Sequence, residues 1–397
     1  MWFSSKPSSE SASEKEEDAG AGRPVLHTCV TSLVPLPTVG LHPAENGRGY
    51  QVVRPIRLHT LHRRNTQSSW PDEVMYAMTM SGRHVVIRLE RNLALLSRRY
   101  TETHYTPNGT RVTSTQQDLD HCYYNGRIVN DSESVVSVST CNGLRGYLKT
   151  ALQQYLIEPL SGNDTGDHSL RLYQNPESTC GVTNTSWYSA NSTATTRGRP
   201  RASYRKMRND FTAVRKRAFQ MVNFVNTVYQ PLNTSVVLVG LEVWTDRDRI
   251  EVTASPGETL GRFTTWRKKV LLETIPHDNG QLITGVDFEG SIVGMAYVGQ
   301  MTHSARVIAV AATLAHEIGH NLGMNHDSGS CSCGGRVPCI MSAVLGRQVP
   351  RLFSGCSSRD YGAFLSSAPP CIFDKPETQL ASDSLCGNGV VERGGGV

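Results

Sequence analysis

His316-Glu317-Ile318-Gly319-His320-Asn321-Leu322-Gly323-Met324-Asn325-His326-Asp327 is the stretch from which the rest of the chain is read. On a helix, positions i and i+4 share a face with Cβ atoms about 5–6 Å apart, so His316 and His320 can turn imidazole nitrogens toward one ion. Glu317 follows His316 and can reach a water beside that ion without binding the ion itself, as a general base must. Gly323 can adopt the φ > 0 conformation that ends a helix, and the returning chain then offers His326 as a third ligand. Three protein ligands leave a coordination position open, which marks a catalytic zinc, whereas a structural zinc is closed by four. A His-Glu-x-x-His match alone arises by chance in a chain of this composition with a probability of about 0.02; Gly323 and His326 at fixed offsets lower that to roughly 6 in 100,000. The bland alternative is a set of surface histidines on an amphipathic helix.

Working outward, Val307, Ile308, Val310, Ala311 and Leu314 lead into the stretch with neither Pro nor Gly between Ala305 and Ile318, as a largely buried helix requires. Downstream, Cys339-Ile340-Met341-Ser342-Ala343 is an apolar turn whose Met341 can form a soft floor beneath the imidazoles. A lone methionine is usually just core. Behind a long histidine motif, it completes the metzincin signature.

Residues 316–327 and 339–343 resemble the adamalysin (reprolysin) metalloproteases, the group that includes the "a disintegrin and metalloproteinase" proteins, and Asp327 after the third histidine is the adamalysin choice. The resemblance extends to Val236–Trp244, His277-Asp278-Asn279, Gln281–Gly285 and Phe353–Ser357, running with gaps from about Tyr50 to the C-terminus. It implies an α/β metzincin-type protease domain with a mixed twisted sheet, a zinc helix and a Met-turn, preceded by a β-rich pro-domain.

The chain has 397 residues, more than one core usually covers, so two or more domains are expected. A net charge of +5 is mild and argues against a nucleic-acid partner. No apolar run reaches the 18 residues of a membrane span. Residues 1–49 read as a disordered or atypical N-terminal segment: 1–23 are rich in Ser, Glu, Ala and Gly. Val25–Leu41 is interrupted by His27, Pro35 and Pro37 and follows an acidic flank, a poor match to a signal peptide. Six Asn-x-Ser/Thr sequons, at Asn108, Asn130, Asn163, Asn184, Asn191 and Asn233, and ten cysteines argue instead for secretion or the cell surface.

Residues 50–188 form the expected β-rich pro-domain, with alternating runs such as His84–Leu89 and Ser134–Ser139 separated by Gly/Asn turns. Cys122 and Cys141 either pair or stay as free core cysteines. Cys180-Gly181-Val182 has the residues and location of a cysteine switch, in which a pro-domain thiolate, a soft ligand, closes the open zinc position. The other reading is an unrelated or disulfide-bonded cysteine, since Glu177-Ser178-Thr179 precedes it where the family has a Pro-Lys-Met-like lead.

A basic linker follows at 189–203, and Arg205-x-x-Arg208 is a minimal site for activating cleavage. The protease domain is expected over 204–374: a helix from Phe211 to Tyr229, a buried strand at Val236–Trp244, a helix at Gly257–Leu272, and strands at Ile283–Phe288 and Val293–Val298. Two family segments are missing from it. The apolar opening strand is reduced to Arg205–Asp210, and Met301–Ala305 joins the edge strand almost directly to the zinc helix. By resemblance Cys331 pairs with Cys356 and Cys333 with Cys339, while Cys371 loses its partner with the second segment. The resemblance also implies a calcium site at Asp278, the Cys371 carbonyl and Asp374, less the acidic residue of the absent strand. Residues 375–397 read as a linker and the start of a disintegrin domain at Leu385–Glu392; a longer form would be expected to meet integrin-like receptors.

These observations imply a latent zinc endopeptidase acting on proteins or peptides, with Glu317 as base. The alternative is a catalytically impaired adhesion or decoy protein of the same family, acting by protein binding.

Overall fold

Val25–Thr31 forms strand β1, between two strands from the far end of the chain. The sequence placed these residues in a disordered or atypical segment, and this is corrected by the structure. The stretch Val25–Leu41 reads in the sequence only as a poor signal peptide, yet its first seven residues bury Val25, Leu26, Cys29 and Val30, enough apolar surface to offset the entropy of ordering a short strand. The structure, a computed structural model, describes residues 24–31, 50–58, 70–115, 120–161, 166–173, 178–180, 210–284, 286, 288, 292–297, 300–303, 307–334, 338–345, 348–368 and 370–373.

The next strands are β2 (Gln51–Val53), β3 (Ile56–Leu58), β4 (Glu73–Met80), β5 (Arg83–Arg91), β6 (Leu96–Tyr105), β7 (Arg111–Thr115), β8 (Tyr123–Ile128), β9 (Val135–Ser139), β10 (Arg145–Lys149), β11 (Gln154–Pro159), β12 (His168–Leu172) and β13 (Ser178–Cys180). Among the described residues, nine of these make an antiparallel sheet in the order β2-β12-β11-β10-β9-β8-β5-β4-β3. Alternating burial along β4 turns Val74, Tyr76, Met78 and Met80 into its core. Cys122 and Cys141 are bonded to each other at the end of β8.

Helix α1 (Phe211–Tyr229) is capped by Asp210, whose side chain accepts from the Ala213 N–H at 3.0 Å. Then follow β14 (Ser235–Glu242), α2 (Pro256–Trp266, prolonged by a π-turn over Arg267–Leu271), β15 (Asn279–Ile283), β16 (Ile292–Tyr297), β17 (Gln300–His303), α3 (Val307–Asn321), β18 (Val344–Leu345) and α4 (Gly355–Ser366). The second sheet runs β18-β13-β16-β17-β15-β1-β14-β6-β7. Its centre is parallel: β1 pairs with β14 from Val25↔Ser235 to Thr31↔Glu242 and with β15 from Thr28↔Asn279 to Thr31↔Leu282. Every residue of β14 is buried, as a parallel strand covered on both faces requires.

β1 occupies the centre of the sheet, and Met301–His303, part of the junction Met301–Ala305, belong to β17, parallel to β15 and antiparallel to β16. A four-residue strand is too short for a two-residue period to stand out; backbone pairing on both sides makes it.

The expected boundary between pro-domain and protease does not separate two cores. β6 pairs in parallel with β14, and β7 extends the same sheet. α1 packs Phe219 and Phe224 edge-on against Tyr100, Tyr123 and Tyr147 on one side and meets β14 and α3 on the other. That explains its breadth of burial, from Val214 to Tyr229.

Candidate metal centre

α3 carries His316, Glu317 and His320 on a helix buried from Val310 to His320. It ends in a Schellman arrangement: the Met324 N–H donates to Gly319 O at 2.9 Å and the Gly323 N–H to His320 O at 3.0 Å, with Gly323 at φ +82°. This turn brings His326 back. Its Nε2 stands 3.2 Å from Nε2 of His316 and 3.2 Å from Nε2 of His320.

Two nitrogens each about 2.0–2.1 Å from one tetrahedral ion lie about 3.3–3.4 Å apart, so this spacing suits zinc. The far side of each ring supports that. His316 Nδ1 donates to the Ile340 carbonyl at 2.6 Å and His320 Nδ1 to the Met324 carbonyl at 2.8 Å, leaving the Nε2 lone pairs facing inward. Burial, and then the neighbouring His326, pushes the His320 imidazole down to about 4; burial lowers His326 as well, against an opposing pull from Asp327. Neutral rings are the form that binds metal. Glu317 is fully buried beside them. Among the described residues these three histidines are the group able to hold a metal ion.

Met341, fully buried in the turn after Cys339, packs under α3 so closely that a Cβ on Gly319 would meet its Sδ at 2.5 Å. Gly319 was passed over in the sequence reading. A glycine inside an otherwise apolar helix was its signal. Also missed was the anchoring of the third ligand: Asp327 donates its N–H to Met341 O at 2.9 Å, and its Oδ1 accepts from Ser354 Oγ and, at 3.2 Å, from Ser357 Oγ at the head of α4. Disulfides Cys331–Cys356 and Cys333–Cys339 fasten the loop between the third histidine and the methionine turn.

The Cys180 strand joins the edge of the second sheet. β13 pairs in parallel with β16 (Thr179↔Ile292, Cys180↔Gly294) and antiparallel with β18 (Ser178↔Leu345, Thr179↔Val344). Residues 181–209, including the basic linker and Arg205–Arg208, lie outside the described residues, as do 374–397 with Asp374 and Cys386.

Of the residues expected to hold calcium, Asp278 and Cys371 are described and Asp374 lies outside the described residues. Oδ2 of Asp278 accepts from the His27 N–H at 2.9 Å and lies 3.1 Å from His27 Nδ1, so β1 sets a histidine against this carboxylate. Cys371 sits in a 3-10 turn over Pro370–Phe373.

A mixed α/β sheet with a three-histidine centre on a buried helix, floored by a methionine turn, defines a zinc metalloprotease class. Residues 200–376 match the Reprolysin (M12B) family zinc metalloprotease and residues 51–129 the reprolysin family propeptide. The chain belongs to the reprolysin family of zinc metalloproteases. Among solved structures it is similar to metalloproteinase-II from Bacteroides fragilis, at 11% identity over 85% of this chain and 98% of that one, with a TM-score of 0.42. It is also similar to a chain in a chaperone-substrate complex, at 17% identity over 39% of this chain and 32% of that one, with a TM-score of 0.28. No helix among the described residues is long and apolar enough to cross a membrane.

Proposed function

We propose that this protein is a zinc-dependent endopeptidase of extracellular or cell-surface proteins, made as a latent zymogen. The observation that carries it is the convergence of three Nε2 atoms with 3.2 Å contacts beside a fully buried Glu317 on the same helix. An adhesion module has no need of that carboxylate.

Zinc, when bound by His316, His320 and His326, supplies Lewis acidity toward a peptide carbonyl and acidifies water. Glu317 takes the proton of the attacking water and delivers it to the departing amine. Asp327, held by Ser354 and Ser357, fixes the backbone that carries His326. An extended substrate would add as a strand between β16 and β18. β13 already uses that edge, which supports latency, and Cys180 within it is the residue assigned to cover the metal. Cleavage in the linker, at Arg205–Arg208, is the proposed trigger. Three disulfides fit an oxidising compartment.

Glu317→Gln should keep bound zinc, by elemental analysis, while hydrolysis of a quenched peptide by linker-cleaved protein falls by about 10²–10⁴-fold. Undiminished hydrolysis by that variant removes the assigned role.

A further inference from the structure

We infer that the residues before the linker are a permanent structural subunit of the protease: Val25–Thr31 is the strand that joins β14 to β15, so cleavage of the linker gives a two-chain protein held together by strand pairing and packing between its halves.

β14 and β15 do not pair with each other; β1 lies between them and bonds to both. Withdrawing β1 would leave two buried edges with unpaired backbone groups in the middle of the sheet. Side chains add to the seam. Thr28 Oγ1, buried, donates to Asn279 Oδ1 at 3.1 Å, and His27 holds Asp278.

The other side of β14 depends on the same half of the chain. Glu242, fully buried, accepts from Tyr105 OH at 2.6 Å and from Arg111 Nη2 at 3.0 Å. In return Arg215 of α1 binds the buried Glu102 of β6 through two nitrogens. Without these partners each half would retain an uncompensated buried carboxylate or a stranded guanidinium. Asn223 of α1 donates to Tyr124 O and Ser137 Oγ at 3.0 Å each, and Gln154 of β11 exchanges two hydrogen bonds with the backbone of Val349, at 3.1 and 3.0 Å.

None of this requires the linker to be intact. The three disulfides of the described residues each lie on one side of it. β13 is the short strand next to the linker, paired over three residues with β16 and β18. On the latent-peptidase reading it is β13 that departs on activation, while β1 and β6 keep their pairing with β14. The inference rests on the latent-peptidase reading only for why the linker is cut; the assembly itself does not depend on catalysis.

The test uses the full chain with a recognition sequence for a site-specific protease inserted within residues 189–203. After cutting, both fragments should co-elute at the mass of the intact chain under native conditions and part only in denaturant. Separation without denaturant overturns the inference. In the cut protein, Thr28→Val should raise the dissociation constant of the fragments by roughly fivefold, the effect of one buried hydrogen bond, while Leu152→Asp, at an exposed position of the same half, leaves it unchanged. A Thr28→Val value equal to that of the unsubstituted cut protein shows that β1 does not hold the halves together. Neither readout uses activity, so failure here and failure of the peptidase reading are distinguishable.

Discussion

Gly319 shows how one atom sets the metal centre. A Cβ there would come within 2.5 Å of Met341 Sδ, and Met341 is packed with no exposed surface, so the helix and the methionine turn cannot both keep their places. Gly319→Ala should therefore destabilise the fold by about 1–3 kcal/mol, the usual cost of an overpacked core, even though alanine is the better helix former. A urea titration reads this directly, and an unchanged or raised midpoint would show that the floor beneath the imidazoles is not tight. At this scale the sequence was highly legible. The pairing of His316 and His320 with Glu317 between them follows from spacing on one helix, because i and i+4 share a face whatever the surroundings. Gly319 was not legible, because its partner comes from a turn 22 residues on whose approach only packing sets.

At the scale of elements, the helix end directs the third ligand. Gly323 stands at φ +82° with Phe364 of α4 against it; a Cβ would meet the Phe364 side chain at 3.1 Å. Gly323→Ala should cost about 1–2 kcal/mol for the left-handed backbone alone. It should also weaken zinc binding, since Met324 O, the acceptor for His320, lies in the same turn. Competition with a chromogenic chelator measures the second effect, and affinity equal to the parent's would separate the turn from the ligand geometry. The long elements were readable: α1 begins and ends at the residues its periodicity marks, Phe211 and Tyr229, because its apolar positions outnumber those of one face. The expected strand Ile283–Phe288 lies instead at Asn279–Ile283, buried throughout. Asn279, Gly280 and Gln281 are poor strand formers in isolation, and pairing with β1 and β17 overrides that preference.

For the whole molecule, two buried histidines outside the metal centre link its halves to pH. Burial lowers His121 to about 4, helped by Arg91, and lowers His277 to about 4, helped by Arg267. The unfolded chain takes up these protons near the ordinary value of about 6.5, whereas the folded chain resists until about 4. Stability is thus full above about 6.5 and declines as pH falls toward about 4, by a few kcal/mol per group on the order of magnitude that the shift implies. Urea midpoints across that range should fall, and the slope should be shallower for His121→Gln; a flat profile in the parent would contradict the burial argument.

The sequence by itself determined the three-histidine group with its neighbouring Glu317, the methionine turn, most long helices and strands, and the family, because each is written in spacings within a short stretch. It could not determine what completes the sheet. Val25–Thr31 lies more than two hundred residues before the strands it joins, amid residues of tail-like composition, and nothing local distinguishes a central strand from an apolar patch. Only tertiary structure decided that, since the free energy that orders those seven residues comes from backbone pairing and burial between β14 and β15, neither of which exists until the chain has closed on itself.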